Sequence, residues 1–207
     1  MKDTLIIIGA SGHGKVCLDI ADKMKHWNNI YFLDNNKNLK NCLGHEVIGQ
    51  TIDAFKYKSE ADFFVAIGDN KTREEIQSQL EEKEYSIATL IHADAIINSF
   101  VEIDKGTAIM GGVVINSDTT IGKGCIINTN SSIDHDNKIG NFAHISPGVN
   151  LAGTVEIGQR TWVGIGTTVI NNIKINQDII IGAGSLVLRN VNNKGNYYGQ
   201  PIKMNNK

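Results

Sequence analysis

Cysteine, proline and long apolar runs are all scarce in this 207-residue chain. The three cysteines, Cys17, Cys42 and Cys125, show no CxxC spacing. An odd count without metal-ligand spacing points to a reducing cytoplasm and no structural zinc. No apolar stretch approaches the roughly 18 residues that a membrane-spanning helix needs, and the N-terminus lacks a signal-peptide pattern. The expectation is a cytoplasmic protein without membrane insertion. An excess of one charge is missing too, since 20 Lys and Arg face 22 Asp and Glu. No basic patch argues for a nucleic-acid partner.

What the chain does have is a period of six. From Ile91 to Val187 every sixth residue is Ile, Leu or Val, 17 positions without a miss. These residue types make up 53 of 207, so chance would give such a run roughly once in ten billion placements. Neither the 3.6-residue helix nor the two-residue strand produces it. A hexapeptide β-helix does, because each six-residue side sends one large side chain inward. The position two before the aliphatic is often small, as at Thr119, Cys125, Ser131, Ala143, Thr161, Thr167 and Ser185. Gly follows the aliphatic at 122, 140, 158, 164 and 182, and Gly and Asn are expected to serve corners that need positive φ. With three sides to a coil, residues 18 apart stack, so Ile133, Leu151, Val169 and Val187 should form one column in about five coils. Cys125 then reads as core rather than nucleophile.

Residues 1–85 follow another rule. Thr4–Ile8 reads as a buried strand, followed by Gly9-Ala10-Ser11-Gly12-His13-Gly14 and a helix from near Lys15 with Val16, Cys17, Ile20, Ala21 and Met24 on one face. Further strands are expected over Ile30–Leu33 and Phe63–Ile67, and a helix over Lys71–Glu84. Strand–helix–strand alternation implies a short parallel, Rossmann-like sheet that binds ligands at its strand ends. A glycine turn opening a helix presents free N–H groups to a phosphate, although this loop is not the usual GxGxxG. Asp34, about 20 residues on, suits a ribose or base contact. Few Gly or Pro mark the junction with 86–207, so the two domains are expected to pack rather than to be tethered. After Val187 the register stops, and a basic, Asn-rich tail follows Pro201 that is expected to be mobile.

On the coil, chemistry must come from outward groups. His135, two residues past Ile133, lies between Asp134 and Asp136, and a neighbouring carboxylate fixes an imidazole's tautomer and raises its basicity. His144, next to Ile145, also points outward. Nine residues separate the two histidines, half a coil, so they occupy different sides of one prism. A site using both is more easily built between copies, which suggests a cyclic trimer.

The hexapeptide run, the βα unit with its Gly9–Gly14 loop and the segment Asn128-Thr129-Asn130-Ser131-Ser132-Ile133-Asp134-His135-Asp136 together resemble the sialic-acid/sugar O- and N-acetyltransferase family (NeuD/PglD-like). Within it, the chain is most similar to the bacterial UDP-4-amino-sugar N-acetyltransferases of bacillosamine synthesis, over essentially its whole length. The resemblance implies a nucleotide-sugar-binding domain at 1–85 and a left-handed parallel β-helix acetyltransferase domain at 86–207, assembled as a homotrimer. It implies acetyl-CoA as co-substrate, a UDP-amino sugar as acceptor, and no metal. By the resemblance, His135 is the general base and Asp136 its acidic neighbour, where close relatives carry Glu. His144 matches a histidine that contacts acetyl-CoA, and Ile165 and Ala183 match backbone sites along the acetyl-CoA arm. Ser11, Gly12 and His13 match the UDP-sugar phosphate loop, Asp34 and Asn35 the pair that reads the nucleotide, and Gly68 the next strand end. The implied reaction is direct transfer to the 4-amine of an amino-dideoxy sugar. O-acetylation of sialic acid or another sugar hydroxyl would use the same residues, and the sequence does not separate the two. A NAD-binding module would explain the glycine loop and Asp34 but not the repeat. A zinc-bearing prism would need more outward histidines than His135 and His144.

Overall fold

The computed structural model describes residues 2–205. The chain divides into two compact units, Met1–Ala93 and Asp94–Lys207.

In the first unit, β1 (Thr4–Ile8) is followed by α1 (Gly12–Met24), β2 (Asn29–Leu33), β3 (Asn41–Cys42), β4 (His45–Gly49), β5 (Ala61–Val65) and α2 (Asn70–Glu82). The sheet order is β3-β4-β2-β1-β5, parallel except for the β3–β4 hairpin. Leu5, Ile6, Ile7 and Ile8 are completely buried, because a central parallel strand is covered on both faces. Three expectations are corrected. α1 begins at Gly12 rather than near Lys15, which places Gly12, His13 and Gly14 of the glycine loop in its first turn. Its buried face carries Leu18, while Val16 is exposed. β5 runs over Ala61–Val65 and stops before Ile67, so Ile67 and Gly68 belong to the strand-end loop.

The second unit is a left-handed parallel β-helix built mostly of two-residue strands. Its three faces repeat every 18 residues without interruption: Val114–Ile115 pairs with Ser132–Ile133, then with Asn150–Leu151, Thr168–Val169 and Leu186–Val187. The column Ile133, Leu151, Val169 and Val187 is therefore present, and every period-six aliphatic from Ile109 to Val187 is buried. Each such side chain contributes about 1.5–3 kcal/mol by leaving water. The small inward positions are buried as well, Cys125 among them.

The corners fall elsewhere than expected. Left-handed φ occurs every sixth residue, three past the aliphatic, at Phe100, Gly106, Gly112, Asp118, Gly124, Asn130, Asp136, Phe142, Gly148, Thr154, Arg160, Gly166, Asn172, Asp178 and Gly184. The glycines directly after the aliphatics have another purpose. A Cβ on Gly140 would come 2.7 Å from the Gln159 nitrogen, and one on Gly164 would come 2.7 Å from the Ala183 nitrogen. Those positions are glycine because the next coil's backbone passes there.

The C-terminal segment is also not a loose tail. Gly195–Gly199 joins the edge of the last coil, beside Ile179–Ile181, and Ile202–Asn205 folds back antiparallel on it with Ile202 buried. The end of the expected mobile tail, Asn206 and Lys207, lies outside the described residues.

Candidate active site

His135 stands just past the strand Ser132–Ile133, at the turn into Lys138–Ile139. Its Nδ1 lies 2.6 Å from Asp136 Oδ2, and its main-chain N–H donates to Asp134 Oδ1 at 2.9 Å. Its ring lies over Gly153, one coil along, where an added Cβ would come 2.6 Å from Cε1 and Nε2. The Asp136 hydrogen bond and the nearby Asp134 charge raise the imidazole above its ordinary pKa. Asp134 is held low by hydrogen bonds from the Asn116 side chain and the His135 amide, so it stays anionic beside the ring. With Nδ1–H donated to Asp136, the Nε2 lone pair is the basic position.

His144 occupies a different face. Its ring stacks on Trp162 with centroids 5.2 Å apart and planes 7° apart, and the Asn128 amide lies 3.3 Å from Nε2. Trp162 is anchored in turn by Nε1–H donation to Ser146 Oγ at 2.7 Å. Ile165 and Ala183 are exposed at the corner leading into the His135 face, stacked one coil apart, with the Gly184 N–H donating to the Ile165 carbonyl. Between that corner and the His135 corner runs a groove of about 340 Å³ lined by Asn116, Ser132, Asp134, Asn150, Ala152 and Thr168. A larger depression of about 630 Å³ on the next face contains none of the predicted site residues, and Lys174 and Glu156 pair within it at 2.7 Å.

The first unit gathers a second set of residues at the ends of β1, β2 and β5. Ser11 caps α1 without using its side chain for the cap, and Gly12 has open space around it. A side chain on Gly14 would strike the Gly9 carbonyl, so the loop folds this tightly only with glycine there. Asp34 accepts from the Ala10 N–H and the Asn36 N–H, both at 2.8 Å, and thereby closes the glycine loop. Asn35 accepts from the Thr51 N–H. His13 lies against Cys17 Sγ and is lowered to a pKa of about 4, by burial first and by the Arg73 charge second. It is neutral at pH 7, so an anion here would be met by helix N–H groups rather than by an imidazolium.

Sequence reasoning missed four residues of these sites. Arg73 is completely buried and donates to the Ile67 and Gly68 carbonyls and to Asn70 Oδ1, binding together the loop that contains Gly68. Only the fold reveals it. Gly153 and Trp162 lie 18 residues past His135 and His144, so the coil period itself was the signal. Asn137 occupies an inward position where most others are small or apolar. Among the described residues, no group of three or more His, Cys, Asp and Glu could hold a metal ion.

A family profile described as the PglD N-terminal domain matches residues 4–80. Over nearly the whole chain the fold matches several solved structures. The acetyltransferase domain of PglB from Neisseria gonorrhoeae FA1090, in complex with acetyl coenzyme A, is 29% identical with a TM-score of 0.95, covering 99% of this chain and 100% of that one. A histidine mutant of perosamine N-acetyltransferase from Caulobacter crescentus, in complex with CoA and GDP-perosamine, is 31% identical with a TM-score of 0.93, covering 99% and 97%. WeeI from Acinetobacter baumannii AYE has the same fold at 22% identity and a TM-score of 0.89, covering 97% and 99%. A β-helix with a paired outward histidine, a strand-end glycine loop and 31% identity over nearly the full length of both chains place this chain in the PglD/NeuD family of sugar N-acetyltransferases.

Proposed function

We propose that the protein transfers an acetyl group from acetyl-CoA to the 4-amine of a UDP-linked amino-dideoxy sugar, with His135 as general base. The observation that carries this reading is the 2.6 Å contact between His135 Nδ1 and Asp136. It commits the Nδ1 proton and leaves Nε2 to accept one. The amine nitrogen attacks the thioester carbonyl, the C–N bond forms as C–S breaks, and Nε2 takes the amine proton while CoA departs as the thiolate. General-base help of this kind contributes about 10²–10⁴-fold, and positioning adds more. No acyl-enzyme is required, since all three cysteines are buried and burial pushes the Cys17 and Cys42 thiols up.

His144, Ile165 and Ala183 are the proposed acetyl-CoA contacts. Ser11, Gly12, His13, Asp34, Asn35 and Gly68 are the proposed nucleotide-sugar contacts. A thioester touching both His135 and His144 must bridge different faces of a prism, which supports a homotrimer with its site between the prisms of neighbouring subunits. Light scattering tests that assembly.

A second reading of the nucleotide comes from the relative that holds GDP-perosamine, which favours guanine over uracil. The test is CoA release measured across UDP- and GDP-linked 4-amino sugars and free sialic acids, with His135→Ala alongside. The expected result is turnover of a nucleotide-linked amine, with kcat lowered at least about 100-fold in His135→Ala while the fold is kept. Turnover of a hydroxyl acceptor alone, or a fully active His135→Ala, defeats the reading.

A further inference from the structure

Along the inward column of the coil, threonines make a repeated pair of bonds. Thr119 Oγ1 donates to the Asp134 carbonyl and accepts from the Asn137 N–H; Thr161 Oγ1 donates to the Asn176 carbonyl and accepts from the Ile179 N–H. In each case the partners lie 15 and 18 residues ahead, on the next coil. Asn137 makes the same two bonds, donating to the Ala152 carbonyl at 3.0 Å and accepting from the Val155 N–H at 3.2 Å. It then does what neither Thr119 nor Thr161 does. Its Nδ2 also faces the carbonyls of Asp134, at 2.7 Å, and His135, at 3.2 Å, within its own corner, so that two N–H bonds are shared among three carbonyls.

Those two carbonyls belong to the two peptide planes that flank the His135 Cα. Fixing both restrains φ and ψ of His135 and hence the direction in which its side chain leaves the backbone. Asn137 is completely buried, and a buried amide is tolerated only where its hydrogen bonds are made. A threonine would satisfy the ladder between coils equally well. The additional reach of the amide is spent wholly on the corner that carries His135.

We propose that Asn137 is a positioning residue for His135, its buried amide holding the peptide planes on either side of that histidine so that the ring meets Asp136 and Gly153 in one orientation. The inference rests on the reading of His135 as general base only for its effect on turnover, not for its effect on the ring.

Asn137→Thr is the informative variant, because it restores the bonds made by Thr119 and Thr161 and removes only the two corner bonds. The titration of His135, followed by NMR of the full-length protein, should move toward the ordinary imidazole value as the contact with Asp136 loosens. The kcat should fall about tenfold or more with the KM for acetyl-CoA within about twofold of the parent. In a His135→Ala background the same substitution should cost nothing further in kcat. An unchanged His135 titration in Asn137→Thr overturns the proposal, as does an undiminished further loss in the His135→Ala background. Should Asn137→Thr not fold, Asn137→Val, the residue found at the equivalent inward positions 149 and 155, removes the corner bonds and is read by the same titration. If His135→Ala proves fully active, the base assignment falls, and the titration still decides whether Asn137 orients the ring.

Discussion

Oδ2 of Asp136 lies 2.6 Å from Nδ1 of His135, and Asp136 is itself the left-handed corner of the coil at φ 58°. Asp and Asn enter that region more readily than other side chains apart from glycine. One residue therefore turns the chain and supplies the carboxylate. The side chain is short because it starts from the corner, directly beside the ring.

Asp136→Asn keeps a residue suited to the corner and removes the charge. The carboxylate raises the His135 pKa, and a base works only when neutral, so activity should climb with pH through that raised value. In the variant the acid limb of kcat/KM should move to lower pH, and the plateau should fall about tenfold because the base is weaker. A pH–rate profile of both proteins checks this. An unmoved acid limb would show that the carboxylate does not tune the ring.

Gly153→Ala places a methyl group 2.6 Å from Cε1 and Nε2 of His135. Its φ is not left-handed, so the backbone accepts alanine and the exposed ring must yield. Activity should drop about tenfold from misplacement of the base, with the thermal midpoint within a few degrees of the parent. Steady-state kinetics and a melting curve on one preparation test the split.

Trp162→Ala removes the ring that stacks on His144 and the bond to Ser146 Oγ. Aromatic pairs of this kind are worth about 0.5–1.5 kcal/mol, so the KM for acetyl-CoA should rise roughly 2- to 12-fold with kcat less affected. Calorimetric titration with CoA gives the binding part directly. Equal affinity in both proteins would remove His144 from the acetyl-CoA site.

Gly158→Ala tests the coil rather than the chemistry. A Cβ there would strike the Asn176–Gln177 backbone of the next coil, which has no side chain to swing away. Overpacking against backbone should destabilise the protein by about 1–3 kcal/mol. Urea unfolding checks the loss, and Gly166→Ala, at a left-handed corner with open space, separates strain from crowding.

Much of the site was legible because the coil converts sequence distance into spatial distance. Residues 18 apart are neighbours, so the partners of Ile133 and the places of His135 and His144 followed from counting. Corner conformation was not legible in the same way. Phe142, Thr154 and Arg160 adopt left-handed φ although their side chains disfavour it, because the pairing of each coil with the next imposes the turn. The glycines at 140, 158 and 164 looked like corners, yet answer to crowding from a strand that local sequence cannot reveal.

The first unit shows the same division. Thr4–Ile8 was readable as a strand from its unbroken apolar run, and the Gly9–Gly14 loop from its glycines. The β3–β4 hairpin has little hydrophobic pattern, since an edge hairpin is only half covered. Arg73 lies on the charge-rich α2, and only the fold shows its side chain buried and donating to the Gly68 carbonyl.

By itself the sequence determined the period, the inward columns and which side chains stack, because a six-residue repeat specifies local geometry that every coil copies. Only the tertiary structure decided that Asp136 meets Nδ1, that Gly153 lies beneath the ring, and that Asn137 reaches both carbonyls of the corner. Those contacts depend on dihedral angles set where successive coils close on one another, and no count along the chain contains them.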